Sequence, residues 1–147
     1  MEGPNSPACN LAGEVVRNFG GLQLRVTGAS MVPTIRPGDL VTVEKAAVTE
    51  ISQGDVVVFA RDGRLVAHRV VAHAGDLRDP LLITRGDRMT RDDSPVSAAE
   101  LVGRVARIER RGRRVQIRAR LSATQQALAR LFRISDRATG LYLRLSA

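Results

Sequence analysis

The residue types that could carry out chemistry in this chain are few, and the first is a serine. Ser30 lies in a stretch of thirteen residues, 27–39, that holds two glycines and two prolines and so forms neither a regular helix nor a regular strand. Gly28 and Ala29 leave the backbone before it open. A serine held on such a bend can act as a nucleophile if nearby N–H groups face the developing oxyanion. The alternative interpretation is an ordinary turn residue.

A serine nucleophile needs a base to accept its proton, and the composition leaves three candidates. Lys45, the one lysine, ends an alternating strand pattern, where a solvated strand end is the alternative. His68 lies on the apolar face of the strand pattern over residues 65–71. An imidazole there can stay neutral and act as a general base, or it can be an ordinary core histidine. His73 follows near the strand end, where a surface position is typical.

A third group would orient the imidazole. Residues 84–95 follow an apolar strand pattern and contain three aspartates, Asp87, Asp92 and Asp93. From a loop at the end of that strand, a carboxylate could reach back across the sheet to the histidine. A solvated, aspartate-rich turn is the alternative.

Short strands are the elements that must bring these groups together. The 147 residues are 44% hydrophobic and 26% charged, which is typical of a single globular domain. Asp62-Gly63 is a strong signal for a two-residue hairpin turn. Strand patterns cover residues 22–26, 39–44, 56–61, 65–71, 81–84, 101–109 and 115–118. We therefore predict an all-β body, either a partly closed barrel of short strands or a sandwich.

Three parts follow one another along the chain. Residues 1–20, rich in small and turn-forming types, predict a flexible lead-in, and residues 21–120 hold the β body. Residues 121–147 predict a basic amphipathic helix with Ser122 as its N-cap. The predicted apolar stripe comprises Ala127, Leu131, Ile134, Ala138, Leu141 and Leu145. Arg130, Arg133, Arg137 and Arg144 form a row beside it. This helix could pack on the body, lie in a membrane interface, or self-associate.

Charge is distributed unevenly. Residues 1–103 carry ten arginines and one lysine against thirteen acids, whereas residues 104–147 carry twelve arginines against two acids. The basic tail predicts an anionic partner. An anionic membrane surface is favoured, because three phenylalanines and one tyrosine offer little for stacking on nucleic acid bases.

Several classes of protein are excluded by composition. The single cysteine, Cys9, rules out an intrachain disulfide framework and sites with several cysteine ligands. Two histidines leave little material for a metal centre, so we expect no metal and no cofactor. Neither a transmembrane span nor a secretory signal is recognisable, so we expect a cytoplasmic protein or one peripheral to a membrane.

Spaced segments resemble the motifs of one family. Residues 28–35, followed by Pro37-Gly38-Asp39, resemble the nucleophile motif of type I signal peptidases and of the related self-cleaving, LexA-like SOS repressor peptidases. Residues 68–71 resemble the general-base motif of the branch in which histidine replaces lysine, and residues 86–93 its acidic motif. Residues 54–59 and 101–105 are similar to further strands of that fold.

The resemblance implies a signal-peptidase/LexA-like β body and a Ser–His–Asp peptidase. In that scheme Ser30 attacks the scissile carbonyl and His68 transfers the proton. Asp93 holds the imidazolium, with Asp87 as the competitor for that role. The substrate, a peptide or preprotein, would bind as an added strand beside Gly28, Ala29, Met31 and Pro33, which are the expected oxyanion and substrate-binding residues.

Two departures from the family pattern qualify the scheme. Gly28 stands where many bacterial members carry a hydroxyl residue that stabilises the oxyanion, and no segment resembling the family's usual N-terminal membrane anchor is recognisable. The resemblance therefore favours an endopeptidase that cleaves after small residues in an exported or precursor peptide. One alternative is a self-cleaving regulator, with Ala12-Gly13 as the bond cut. The other is an inactive binding module with a basic tail.

Overall fold

The computed structural model describes residues 6–118, 123–134 and 136–145. Its strands are β1 (Gly21–Arg25), β2 (Leu40–Glu44), β3 (Val56–Arg61), β4 (Arg64–Gly75), β5 (Pro80–Arg85), β6 (Leu101–Arg110) and β7 (Arg113–Val115). Its helices are α1 (Pro7–Phe19), α2 (Ala123–Ile134) and α3 (Asp136–Leu145), with a 3-10 turn at Val48–Glu50.

The strands form one antiparallel sheet in the order β1-β2-β6-β3-β4-β5, with β7 paired to β6. The all-β body predicted from sequence is confirmed. The sheet does not close into a barrel, so β1 and β5 remain at its two edges.

Two tight hairpins fix the register as the sequence predicts. Asp62 and Gly63, between β3 and β4, have φ angles of 51° and 71°. Arg111 and Gly112, between β6 and β7, have φ angles of 51° and 74°. Positive φ at both central residues is what a hairpin turn of this type requires, because its twist matches that of the flanking strands.

Apolar side chains cover both faces of the sheet. One cluster lies under α1 and includes Val16, Val41, Val105 and Ile108. The other includes Val57, Phe59, Val70, Leu82 and Val96, with the 3-10 turn packed on it. The central strand β3 is buried on both sides, which explains its unbroken apolar run.

Helix α1 replaces the flexible lead-in that the sequence analysis predicted. Ser6 caps it, Pro7 occupies its first turn, and Gly20 ends it in the left-handed conformation. Cys9, Ala12, Gly13 and Val16 are buried at helical spacing against the sheet. The many small residues suggested a loop, but the segment has a cap at each end and an apolar face that packs on the sheet.

The C-terminal part forms two helices, α2 and α3, where one was predicted; Ser122, the expected N-cap, lies outside the described residues. The buried side chains are Ala129, Phe132 and Thr139. Three leucines of the predicted stripe are instead exposed: Leu131 by 50%, Leu141 by 59% and Leu145 by 80%. These three leucines therefore do not pack on the body.

The described helices include none with the length and apolar character needed to cross a membrane.

Gly103 lets β6 lie close to β2. A Cβ at this position would lie 2.3 Å from the carbonyl oxygen of Glu44 and 2.9 Å from Cγ1 of Val43. We expect Gly103→Ala to lower the free energy of unfolding by about 2 kcal/mol, because the two strands must separate. Urea denaturation measures the loss.

The matched control is Gly140→Ala in α3, where a Cβ would meet no atom within 4 Å. Because alanine is the better helix former, this variant should gain up to about 1 kcal/mol. Equal unfolding midpoints for the two variants would contradict the packing argument.

Candidate functional site

Ser30 begins a compact turn between β1 and β2. The five residues after it, Met31 to Ile35, are buried, and the N–H of Ile35 donates to the carbonyl of Met31 at 3.0 Å. The N–H of Arg88 donates to the carbonyl of Ser30 at 2.9 Å. The serine is therefore fixed by its own backbone and by buried neighbours, while its side chain stays partly accessible.

A hydrogen-bonded line joins Ser30, His68 and Asp93. Oγ of Ser30 lies 3.0 Å from Nε2 of His68, and Nδ1 of His68 lies 2.6 Å from Oδ2 of Asp93. Both are hydrogen-bond distances. The hydroxyl of Thr84 donates to the same oxygen of Asp93 at 2.6 Å. Such a line can move a proton from a hydroxyl to an imidazole while a carboxylate fixes the ring.

The sheet brings the three residues together. His68 is paired with Val57 of β3, so its ring is set by the register of the β3–β4 hairpin. Asp93 follows β5, and its N–H donates to the carbonyl of Thr84 at 2.8 Å, which returns the loop to the sheet. The ring of Phe59 lies edge-on to the imidazole at 6.1 Å between centroids.

Asp87, the competitor for the third position, lies in a separate buried cluster. Nε and Nη2 of Arg69 donate to its two carboxylate oxygens, each at 2.8 Å, and the hydroxyl of Thr34 donates at 2.6 Å. Asp93 contacts the imidazole, whereas the carboxylate of Asp87 is taken up by this ion pair.

The Arg69–Asp87–Thr34 cluster connects every segment of the site. Thr34 belongs to the turn that carries Ser30, Arg69 follows His68 in β4, and Asp87 follows β5. Arg69 also donates to the carbonyl oxygens of Gly54 and Arg118. The cluster therefore fixes the relative positions of the nucleophile turn, β4 and the acidic loop.

Gly86 has a steric role at the centre of the site. A Cβ there would lie 2.7 Å from the carbonyl oxygen of Ser30 and 3.1 Å from Nε2 of His68.

No separate role for Arg69, Thr34 or Gly86 followed from the sequence. An arginine on a buried strand was the available signal, since a buried guanidinium requires a carboxylate partner.

A cleft of about 680 Å³ opens beside Ser30 and His68. One wall is the end of β1 with the loop after it, and the other is the first part of β4. Its apolar lining includes Met31, Ile35 and Val58.

The first turn of α1 also lines this cleft, through Ser6, Ala8 and Cys9, a contribution that the sequence analysis missed.

The predicted substrate-binding residues divide into two pairs. Gly28 and Met31 line the cleft, whereas Ala29 and Pro33 are not among its lining residues, and Pro33 is buried.

The other candidate bases lie outside this cleft. Lys45 is exposed just after β2. Nε2 of His73 lies 2.8 Å from the carbonyl oxygen of Ile51, and neither residue lines the cleft. Within the described part of the chain, no group of three or more His, Cys, Asp or Glu side chains could hold a metal ion.

The family model described as Peptidase S24-like matches residues 9–106, two thirds of the chain. The chain belongs to the Peptidase S24-like family. The match includes Ser30, His68 and Asp93 and confirms the resemblance to the LexA/signal peptidase I-like superfamily. Members of the S24 family are serine peptidases or self-cleaving proteins. No curated protein sequence matches the chain closely enough to indicate a relationship.

Two aspartates of the acidic loop, Asp87 and Asp92, form ion pairs with arginines and should differ in their contribution to stability. Asp87→Asn leaves the buried Arg69 without a counter-charge, so we expect a loss of about 3 kcal/mol in the free energy of unfolding. Asp92→Asn removes a half-exposed pair with Arg85 and should cost less than about 1 kcal/mol. Chemical denaturation of both variants measures the difference, and equal losses would show that the Arg69–Asp87 pair does not organise the site.

Proposed function

We propose that this protein is a serine endopeptidase that cleaves after small residues in an exported or precursor peptide. The observation that carries the proposal is the hydrogen-bonded line from Ser30 through His68 to Asp93. Membership of the S24 family supports peptide-bond hydrolysis as the reaction class.

In the proposed reaction, Oγ of Ser30 attacks the scissile carbonyl carbon and Nε2 of His68 accepts the hydroxyl proton. Asp93 stabilises the imidazolium that forms. His68 then gives this proton to the leaving amine, so that the C–N bond breaks and an acyl-enzyme remains. Water, activated by the same imidazole, releases the acid product.

The oxyanion of the tetrahedral intermediate requires hydrogen-bond donors. The N–H of Ser30 is one candidate donor. Gly28 offers no side-chain donor, so a second must come from the backbone or from another residue.

An unpaired strand edge supports binding of the substrate as an added strand. Along residues 64–68, β4 pairs with β3 on one side, whereas β5 joins it only from Arg69 onward. No described strand pairs with this edge over residues 64–68, and it faces the cleft and ends at His68. An extended peptide can use those backbone groups while its alternate side chains enter the apolar lining.

Self-cleavage is the second candidate, because the family includes self-cleaving proteins. The sequence offered the Ala12-Gly13 bond as the site of self-cleavage. This bond lies inside α1, and both residues are buried. A helical bond does not present the extended backbone that an added strand requires, so we favour a separate peptide as substrate.

The proposed roles predict distinct effects of three substitutions. Ser30→Ala and His68→Ala should each lower kcat/KM by at least about a thousandfold, whereas Lys45→Ala should leave it close to wild type. The measurement is cleavage of a panel of peptides with small residues before the cut. Activity should also fall on acidification, because a protonated imidazole cannot accept the serine proton.

Two outcomes would redirect the proposal. An equal loss in Lys45→Ala would favour a serine–lysine pair. Loss of residues 1–12 from purified protein, detected by mass spectrometry and abolished by Ser30→Ala, would favour self-cleavage.

We also propose that α3 binds an anionic lipid surface. The spacing of Arg137, Leu141, Arg144 and Leu145 puts them on one exposed face of α3. Exposed leucines between arginines suit the boundary between phosphate headgroups and acyl chains. The opposite side of the helix is held on the body, where the Arg36 guanidinium lies 4.6 Å from the ring centroid of Tyr142.

Sedimentation with vesicles tests this partner. The protein should bind phosphatidylglycerol vesicles at low salt and bind phosphatidylcholine vesicles much less, because the attraction is partly electrostatic. Replacing both Leu141 and Leu145 with Glu should reduce binding at least about tenfold. Leu77→Glu, at the exposed tip of the β4–β5 hairpin, is the matched control and should bind as wild type. No binding at low salt would refute the partner.

A further inference from the structure

The lining of the substrate cleft carries an unbalanced positive charge. Arg25 lies on the β1 wall and Arg64 on the β4 wall, and the lining residues include no Asp or Glu. Arg25 donates to the carbonyl oxygen of Gly38, whereas Arg64 is exposed and forms no ion pair with any described residue. An extended peptide in this cleft would therefore pass a guanidinium group that has no counter-charge among the described residues.

The position of Arg64 relative to the reacting atoms follows from strand geometry. Arg64, Val66 and His68 alternate along β4, so their side chains leave the same face of the strand. Four residues of strand separate Arg64 from His68, which is about 13 Å. In the proposed binding mode the residues before the scissile bond lie in this cleft, so a peptide paired with this edge would present to Arg64 a side chain four or five residues before the bond at Ser30.

We propose that Arg64 selects substrates with an acidic residue four or five positions before the scissile bond, with Arg25 adding to the positive field. This inference rests on the proposed peptidase function and narrows its substrate class. It follows that the preferred precursor has small residues next to the cut and a carboxylate further upstream. A lysine or arginine at the upstream position is disfavoured, since like charges in one cleft repel.

Arginine suits this role better than a neutral side chain would. Its planar fork can donate two hydrogen bonds to one carboxylate, and it remains charged at every physiological pH. The apolar part of the cleft near Ser30 holds the small side chains of the substrate. Selection by charge therefore takes place at the other end of the cleft, at Arg64. Different residues therefore bind the substrate near the scissile bond and select for charge four or five positions before it.

Cleavage of peptides with Glu, Gln or Lys at the upstream position tests the proposal. Each peptide carries small residues before the cut and a blocked N-terminus, so that no terminal charge interferes. Wild-type protein should prefer Glu over Lys about tenfold in kcat/KM, and high salt should reduce this ratio. Arg64→Glu should invert the preference, and Arg64→Gln should abolish most of it.

Arg113→Glu is the matched control, because Arg113 is an exposed arginine of β7 that does not line the cleft. It changes the net charge of the protein by the same amount and should keep the wild-type preference. Circular dichroism of each variant verifies that the fold is retained.

Binding of the same peptides to Ser30→Ala, followed by fluorescence anisotropy, separates the two hypotheses. A Glu preference in binding without cleavage by wild type would reject the peptidase and keep the Arg64 site. Cleavage with equal rates for Glu and Lys peptides, or a preference unchanged in Arg64→Glu, would overturn the Arg64 site and leave the peptidase standing. Neither cleavage nor selective binding would reject both.

Discussion

A buried ion pair between Arg69 and Asp87 holds the candidate site together. Both side chains are almost completely buried, and each would be costly to desolvate alone. Thr34 donates to the same carboxylate, which brings the turn after Ser30 into the pair. Arg69 follows His68 directly in β4. The ion pair that neutralises the Arg69 guanidinium therefore also fixes the position of the strand that carries the imidazole. The need to pair a buried charge thereby constrains residues that do not touch it.

The strand β4 serves two purposes along its length. Residues 64–68 pair only with β3 and leave an edge open to the cleft, Arg69 pairs with both β3 and β5, and the residues from Val70 onward pair with β5. A register shift between Val70 and Ala72 lies in the part that pairs with β5. His68 lies where the open edge ends, so the proposed base is rigid in the sheet and still accessible to a peptide. An open edge is a hazard in most sheets, but here the cleft walls limit access to it.

The helices show where local patterns mislead. In α1 the small and turn-forming residues suggested a loop, yet Ser6 and Gly20 cap a helix whose apolar face is buried on the sheet. In the C-terminal part, the leucine stripe satisfied the helical period but is exposed, and Phe132 is buried instead. Periodicity identifies a helix and its possible faces. It does not identify the face that packs on the body, because that depends on the shape and polarity of the surface against which the helix lies.

The sequence alone determined the Asp62-Gly63 turn, the family and the approximate positions of six strands, because turn chemistry, alternation and motif spacing are local properties. The last strand was misplaced, since it was predicted at residues 115–118 and lies at Arg113–Val115. It also limited the candidate nucleophile and bases to a few residues. Only the tertiary structure decided which aspartate faces His68. Asp87 and Asp93 lie six residues apart in one loop and carry the same group, so no local pattern separates them. The choice depends on where Arg69 and Thr84 lie once β4 and β5 are paired, and such distances arise only when the chain is folded.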